Sequence, residues 1–175
     1  MIIIGNGRLI TRDSGNPYYE DGAVVLDGSV VFKLGKTADM KKMFPQAEFI
    51  DAKGGVIMPA FINTHEHIYS AMARGLRIKG YNPKGFLDIL DGMWWTIDRN
   101  LTLEQTRQSA RATYIDSIKN GVSTVFDQDA RFGEISGSLY AIEDAAKEVG
   151  VRSCLCYEVS DRDGMVNFAH CSACS

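Results

Sequence analysis

The chain has 175 residues, of which 45% are hydrophobic and 23% charged, with a formal net charge of −3. That composition is globular rather than disordered, and its slight acidity gives no electrostatic footing for nucleic acid or an anionic membrane. The opening Met1-Ile2-Ile3-Ile4-Gly5 lacks the basic flank of a leader, and no run approaches the roughly 18–20 apolar residues that span a bilayer, so a soluble, cytoplasmic protein is expected.

Residues 2–57 read as short strands joined by tight turns. Ile2–Ile4, Leu9–Thr11, Ala23–Leu26 and Val30–Leu34 are β-rich, and Ala47–Asp51 is a further candidate. Asp27-Gly28 between two of these runs favours a two-residue hairpin turn with positive φ. Residues 37–44 carry the main helix signal in this part.

The character changes near Gly54-Gly55. Val56-Ile57-Met58 and Phe61-Ile62, interrupted by Pro59, suit a strand buried on both faces of a parallel sheet. In 68–100, Phe86, Leu87, Leu90, Met93, Trp94 and Ile97 recur at helical spacing. Core packing is the simpler reading of Trp94 and Trp95, and a lid over a pocket is the sharper one.

Thr102 and Gln105 form a capping-box pair at the start of the next helix. Leu103, Ala110, Tyr114 and Ile118 line one face of it, and Gly121 ends it. Val122–Phe126 is the second strand, ended by Asp127. After a loop to about Ser138, Leu139, Ile142, Ala146 and Val149 mark another amphipathic helix, Gly150 stops it, and Val151–Tyr157 is a third strand. Strand and helix alternate, which implies an α/β fold with a parallel sheet and right-handed crossovers.

His65-x-His67 carries the chemistry. Residues i and i+2 of a strand share a face, so both imidazoles are able to face one point. Neutral imidazole is a good ligand for zinc or iron. The pair ends a buried strand, where parallel α/β proteins place their sites. Standing alone, a His-x-His pair is usually surface decoration; its position shifts the balance.

The string from Asp51 to His67, with Met58-Pro59-Ala60-Phe61 leading into His65-Glu66-His67, resembles the amidohydrolase superfamily signature. Ile4–Thr11, Gly80–Phe86 and Asp91–Trp95 are similar to SsnA-type aminohydrolases of the deaminase and chlorohydrolase branch, and the likeness runs from residue 1 to about 164. It implies a metal-dependent (β/α)8 TIM barrel preceded by a small composite β-sandwich. Residues 1–55 then supply strands of the sandwich, 56–164 the first three β/α units of an incomplete barrel, and 165–175 an atypical tail. His65 and His67 map onto two metal ligands, with zinc favoured over iron. Activated water would attack a small nitrogenous substrate at a C–N bond other than a peptide bond, and an acidic group would move the proton. The remaining ligands and that acid–base belong to later barrel strands, so the catalytic and substrate-binding residues stay unassigned. A homodimer is expected for the longer enzyme, and this chain alone, read as truncated, is expected to be inactive.

Four positions depart from the pattern. Ala60 stands where the family has Gly, Glu66 lies between the ligands and should point away from them, Gln128-Asp129 follows the second strand where relatives carry histidines, and the segment from Met165 matches nothing. Asp127 and Glu158, near strand ends, are able to line a pocket, but read more simply as loop caps or as hydrogen-bonding supports of a site. Cys154 and Cys156 read as small packing residues. The competing readings are a non-catalytic truncated product, and a small metal-binding module using His65, His67 and the tail residues Cys171 and Cys174.

Overall fold

The computed structural model describes residues 1–160. The readings of the tail, on His170, Cys171, Cys174 and the segment from Met165, lie outside the described residues. The chain divides into two compact units, Met1–Pro59 and the residues from Ala60 on.

The first unit is a sheet in the order β3-β2-β1-β4, built from β1 (Ile2–Ile10), β2 (Tyr18–Asp27), β3 (Val30–Lys36) and β4 (Glu48–Asp51), with β5 (Val56–Ile57) also pairing with β1. Ile2–Ile4 and Leu9–Thr11, expected as two strands, form one. The pairing with β2 slips on either side of Gly7, and Asn6 takes a left-handed φ of 55° within the bulge. The Asn6 N–H donates to the Thr37 hydroxyl at 2.9 Å, which satisfies the amide that the bulge releases. The hairpin turn is one residue later than expected: Asp27 pairs with Val30, leaving Gly28-Ser29 as the loop, with Gly28 at φ +56°. Helix α1 (Thr37–Met43) contributes Met40 to a core with Ile3, Ala23 and Val25.

In the second unit, β6 (Phe61–Glu66), β7 (Val122–Asp129) and β8 (Arg152–Tyr157) make a parallel sheet in that order. The apolar run at 56–62 is therefore split: Val56–Ile57 pairs with β1, and β6 begins after Pro59. β6 is not buried on both faces either, since Phe61 is 56% and Ile62 59% exposed. β7 runs three residues beyond Phe126, so Asp127 lies within the strand rather than ending it.

A 3-10 turn (Ile68–Ala73) leaves β6. Helix α2 (Phe86–Ile89), a π-helical turn (Leu90–Trp94) and helix α3 (Trp95–Asn100) follow. Trp94 and Trp95 are half-buried and belong to no core cluster, so the core reading of the pair fails. The long helix α4 (Leu103–Lys119) has the expected capping box: the Gln105 N–H donates to the Thr102 hydroxyl at 3.2 Å, and the Thr102 N–H to the Gln105 side-chain oxygen at 2.9 Å. Its buried residues are Thr106, Ser109, Ala110 and Tyr114, while Ile118 is exposed, so the inward stripe is rotated and more polar than expected. Helix α5 (Ser138–Val149) ends at Gly150, with φ 84°. Ala110, Tyr114, Ile142, Ala145 and Ala146 pack with Ile68 and Val125 to form the core on one face of the sheet. Among the described residues, no helix is long and apolar enough to cross a membrane.

Thr102→Ala removes one half of the capping box. It should lower stability by about 1 kcal/mol, read as a shift of the denaturation midpoint at unchanged m-value.

Candidate metal centre

Strand alternation fixes the two faces of the second sheet. Val125, Asp127 and Asp129 are buried under the helices, whereas Phe126 and Gln128 are exposed on the opposite face. Cys154 pairs with Phe126 and Cys156 with Gln128, so both thiols lie on that open face, exposed and unbridged, rather than packed in a core. Glu66 pairs with Asp127 and sits on the helix side, which puts His65 on the open face.

The ligand segment is not a regular strand end. Between the pairs Asn63–Val125 and Glu66–Asp127, β6 uses one residue more than β7. A bulge of this kind re-aims side chains at a strand end. The amides it releases are taken up by side chains. His65 N–H donates to Asn63 Oδ1 at 3.2 Å, and Asn63 Nδ2 donates to Glu66 Oε2 at 2.8 Å. Glu66 Oε1 accepts from His67 N–H at 3.1 Å. Glu66 lies on the sheet face opposite His65 but lines the same cavity as His67, and it is tied back to the segment's own amides instead of standing in solvent.

The rings of His65 and His67 lie 5.0 Å apart, centroid to centroid, at 90°. His67 Nδ1 is 3.0 Å from the Gln128 carbonyl oxygen. A carbonyl only accepts, so Nδ1 is the donor in this contact, which leaves Nε2 as the ring nitrogen able to present a lone pair to a metal. That is the state in which an imidazole binds zinc or iron, and with the exposed His65 ring beside it the donor set fits a divalent metal. Among the described residues, no group of three or more His, Cys, Asp or Glu side chains gathers to hold an ion. A cavity of about 590 Å³ opens beside His67, bounded also by Met93, Trp94, Arg74 and Asp116. The segment 86–100 thus borders the ligand-bearing end of β6, which fits the lid reading of Trp94 better than core packing.

Two buried side chains hold the residue after His67. Asp127 Oδ1 accepts from Ile68 N–H at 2.7 Å, and the Ser109 hydroxyl donates to the Ile68 carbonyl at 2.7 Å. Asp127 therefore hydrogen-bonds to the segment that follows His67. Ser109 was not singled out in the sequence, although Thr106, Ser109 and Ala110 share helical spacing. Burial pushes the Asp127 carboxyl up to about 7; the Ile68 N–H opposes the rise, and the charges of Asp129 and Glu66 add to it. Burial also raises Asp129, against hydrogen bonding from Ser138 and the nearby Arg131. Glu158 contributes its N–H to the Asp129 carbonyl, at 2.9 Å, a loop contact rather than a site contact.

Parallel strands with intervening helices make the second unit an α/β sheet, with the His-x-His pair at the C-terminal end of its first strand. The chain is related in sequence and fold to the N-terminal part of amidohydrolase-family enzymes. It is 27% identical over 156 residues to a 5'-deoxyadenosine deaminase of Methanococcoides burtonii, a match covering 89% of this chain and 32% of that protein. It is 29% identical over 160 residues to a 5-methylthioadenosine/S-adenosylhomocysteine deaminase of Thermococcus sibiricus, covering 91% and 34%. Among solved structures, the zinc complex of the atrazine chlorohydrolase TrzN from Arthrobacter aurescens superposes with a TM-score of 0.75 at 27% identity, covering 90% of this chain and 35% of that one. The chain thus spans about a third of the length of these relatives. No protein-family model matches it.

The buried carboxyls set a pH dependence. Asp127 and Asp129 hold protons in the folded chain that the unfolded chain releases from about pH 4 upward. Unfolding then becomes easier as pH rises from about 4 towards 7. Denaturant titrations across that window should show the decline, and Asp127→Asn should flatten it.

Proposed function

We propose that this chain supplies the first part of a metal-dependent aminohydrolase, with His65 and His67 as two of the metal ligands. The carrying observation is the His65/His67 pair at the end of β6, with His67 Nδ1 taken up by the Gln128 carbonyl so that Nε2 is free to ligate. With the boundary expected at 55/56 moved to Pro59, because Val56–Ile57 pairs with β1, the first segment then corresponds to strands of a composite sandwich and the second, to about residue 164, to the first three β/α units of a barrel. Zinc is favoured over iron, supported by the zinc in the TrzN complex. When bound, the ion supplies Lewis-acid activation of water for attack on an electrophilic ring carbon. The residues of this chain hold and orient: the Asn63–Glu66 pair sets the bulge, and the Gln128 carbonyl sets the tautomer of His67. The substrate is a small nitrogenous ring compound losing ammonia, with 5'-deoxyadenosine and 5-methylthioadenosine the first compounds to assay, as the named relatives act on these. A cytoplasmic setting belongs to the same reading, supported by the exposed, unbridged Cys154 and Cys156.

Turnover belongs to a protein of the relatives' length, because the acid–base and the remaining ligands are not assigned to residues of this chain. In such a protein, His65→Ala or His67→Ala should abolish ammonia release and lower bound zinc together. Full turnover by either variant would overturn the assignment.

A further inference from the structure

We propose that Asp127, together with Ser109, is a positioning residue of this centre: by clamping both main-chain polar groups of Ile68, it fixes where the His67 imidazole stands. The proposal rests on the metal-ligand reading of His65 and His67.

Ile68 is fully buried and packs with Ala110, Tyr114, Val125 and Ile142. Its N–H belongs to the peptide that immediately follows His67, so the orientation of that peptide sets the direction from which the ring leaves the backbone. The bulge in β6 has shifted this stretch out of ladder register, and a buried amide there needs another acceptor. Asp127, only 1% exposed, provides it from the neighbouring strand at 2.7 Å. Ser109, fully buried on α4, donates to the Ile68 carbonyl, also at 2.7 Å. The next residue of β7, Gln128, accepts from the His67 ring through its main-chain oxygen. Two successive residues of one strand therefore grip the His67 backbone and the His67 ring, and α4 closes the grip behind them. A ligand held at two points has few orientations left to lose when an ion binds, which is how hydrogen-bonding supports around metal ligands raise affinity.

The clamp needs an acceptor at Oδ1, not a charge. Asparagine, of the same shape, keeps an oxygen there, and alanine does not.

The test is a zinc titration of a protein of the relatives' length that carries this chain, followed through the ring nitrogen resonances of His65 and His67, with amide hydrogen exchange read at Ile68. Asp127→Ala should weaken zinc binding about 10- to 100-fold, shift the His67 Nδ1 resonance and remove protection of the Ile68 amide. Asp127→Asn should restore all three. Zinc binding by Asp127→Ala equal to that of the unsubstituted chain overturns the proposal, and so does an asparagine variant as weak as the alanine one. Should Asp127→Ala fail to fold, Ser109→Ala decides, because it frees the Ile68 carbonyl without touching β7: weakened zinc binding supports the clamp and unchanged binding overturns it. If zinc leaves the histidine resonances of the unsubstituted chain unmoved, the metal-ligand reading itself fails, an outcome separate from either of these.

Discussion

The hydrogen bond from Ile68 N–H to Asp127 joins the apolar core of the second unit to its chemistry. Ile68 lies in the core and His67 lies outside it, so the chain crosses from one environment to the other within a single peptide. Water satisfies amides freely on one side of that boundary and is excluded on the other. A regular parallel ladder would have supplied the partner, but the bulge before Glu66 breaks the ladder, and side chains of β7 and α4 replace it.

The same constraint accounts for the polar residues under α4. A helix covering a parallel sheet is expected to present apolar residues, and Ala110 and Tyr114 do so. Thr106 and Ser109 lie beside them, fully buried. Ser109 donates to the Ile68 carbonyl at that depth, and the bond satisfies its own buried hydroxyl. Replacing it with an apolar residue of similar size would improve the hydrophobic pattern and remove a buried hydrogen bond to the Ile68 carbonyl.

These facts mark what was legible in the sequence. Periodicity and stop signals located the helices at 103–119 and 138–149, since Thr102, Gln105, Gly121 and Gly150 act through local backbone geometry. The His65-x-His67 spacing stood out in the sequence, but His67 lies one residue beyond β6, so strand alternation alone does not set its ring. The bulges were not legible. Gly5-Asn6-Gly7 looked like a break between strands, and nothing in Asn63-Thr64-His65 announces an inserted residue, because a bulge is defined by the partner strand and its register. Ser109 and the place of Asp127 were hidden for the same reason: their partner, Ile68, lies 41 and 59 residues away. Phe61 and Ile62 misled in the other direction, since an apolar run shows what a strand is able to bury, not which faces are covered.

The electrostatics of Asp127 complete this account. A carboxylate beside a cation site is usually taken as a source of attraction, but burial opposes its charge and pushes it up to about 7. Its second oxygen, Oδ2, is buried without a hydrogen-bond partner, a state that penalises a full negative charge more than a neutral acid. Burial therefore works against a charge at Asp127, while hydrogen bonding holds its Oδ1 in a fixed place. On that view β7 contributes geometry to the histidine pair: Asp127 fixes the peptide, the Gln128 carbonyl fixes the ring proton, and the binding free energy of an ion is left to the two imidazoles and whatever further ligands meet them.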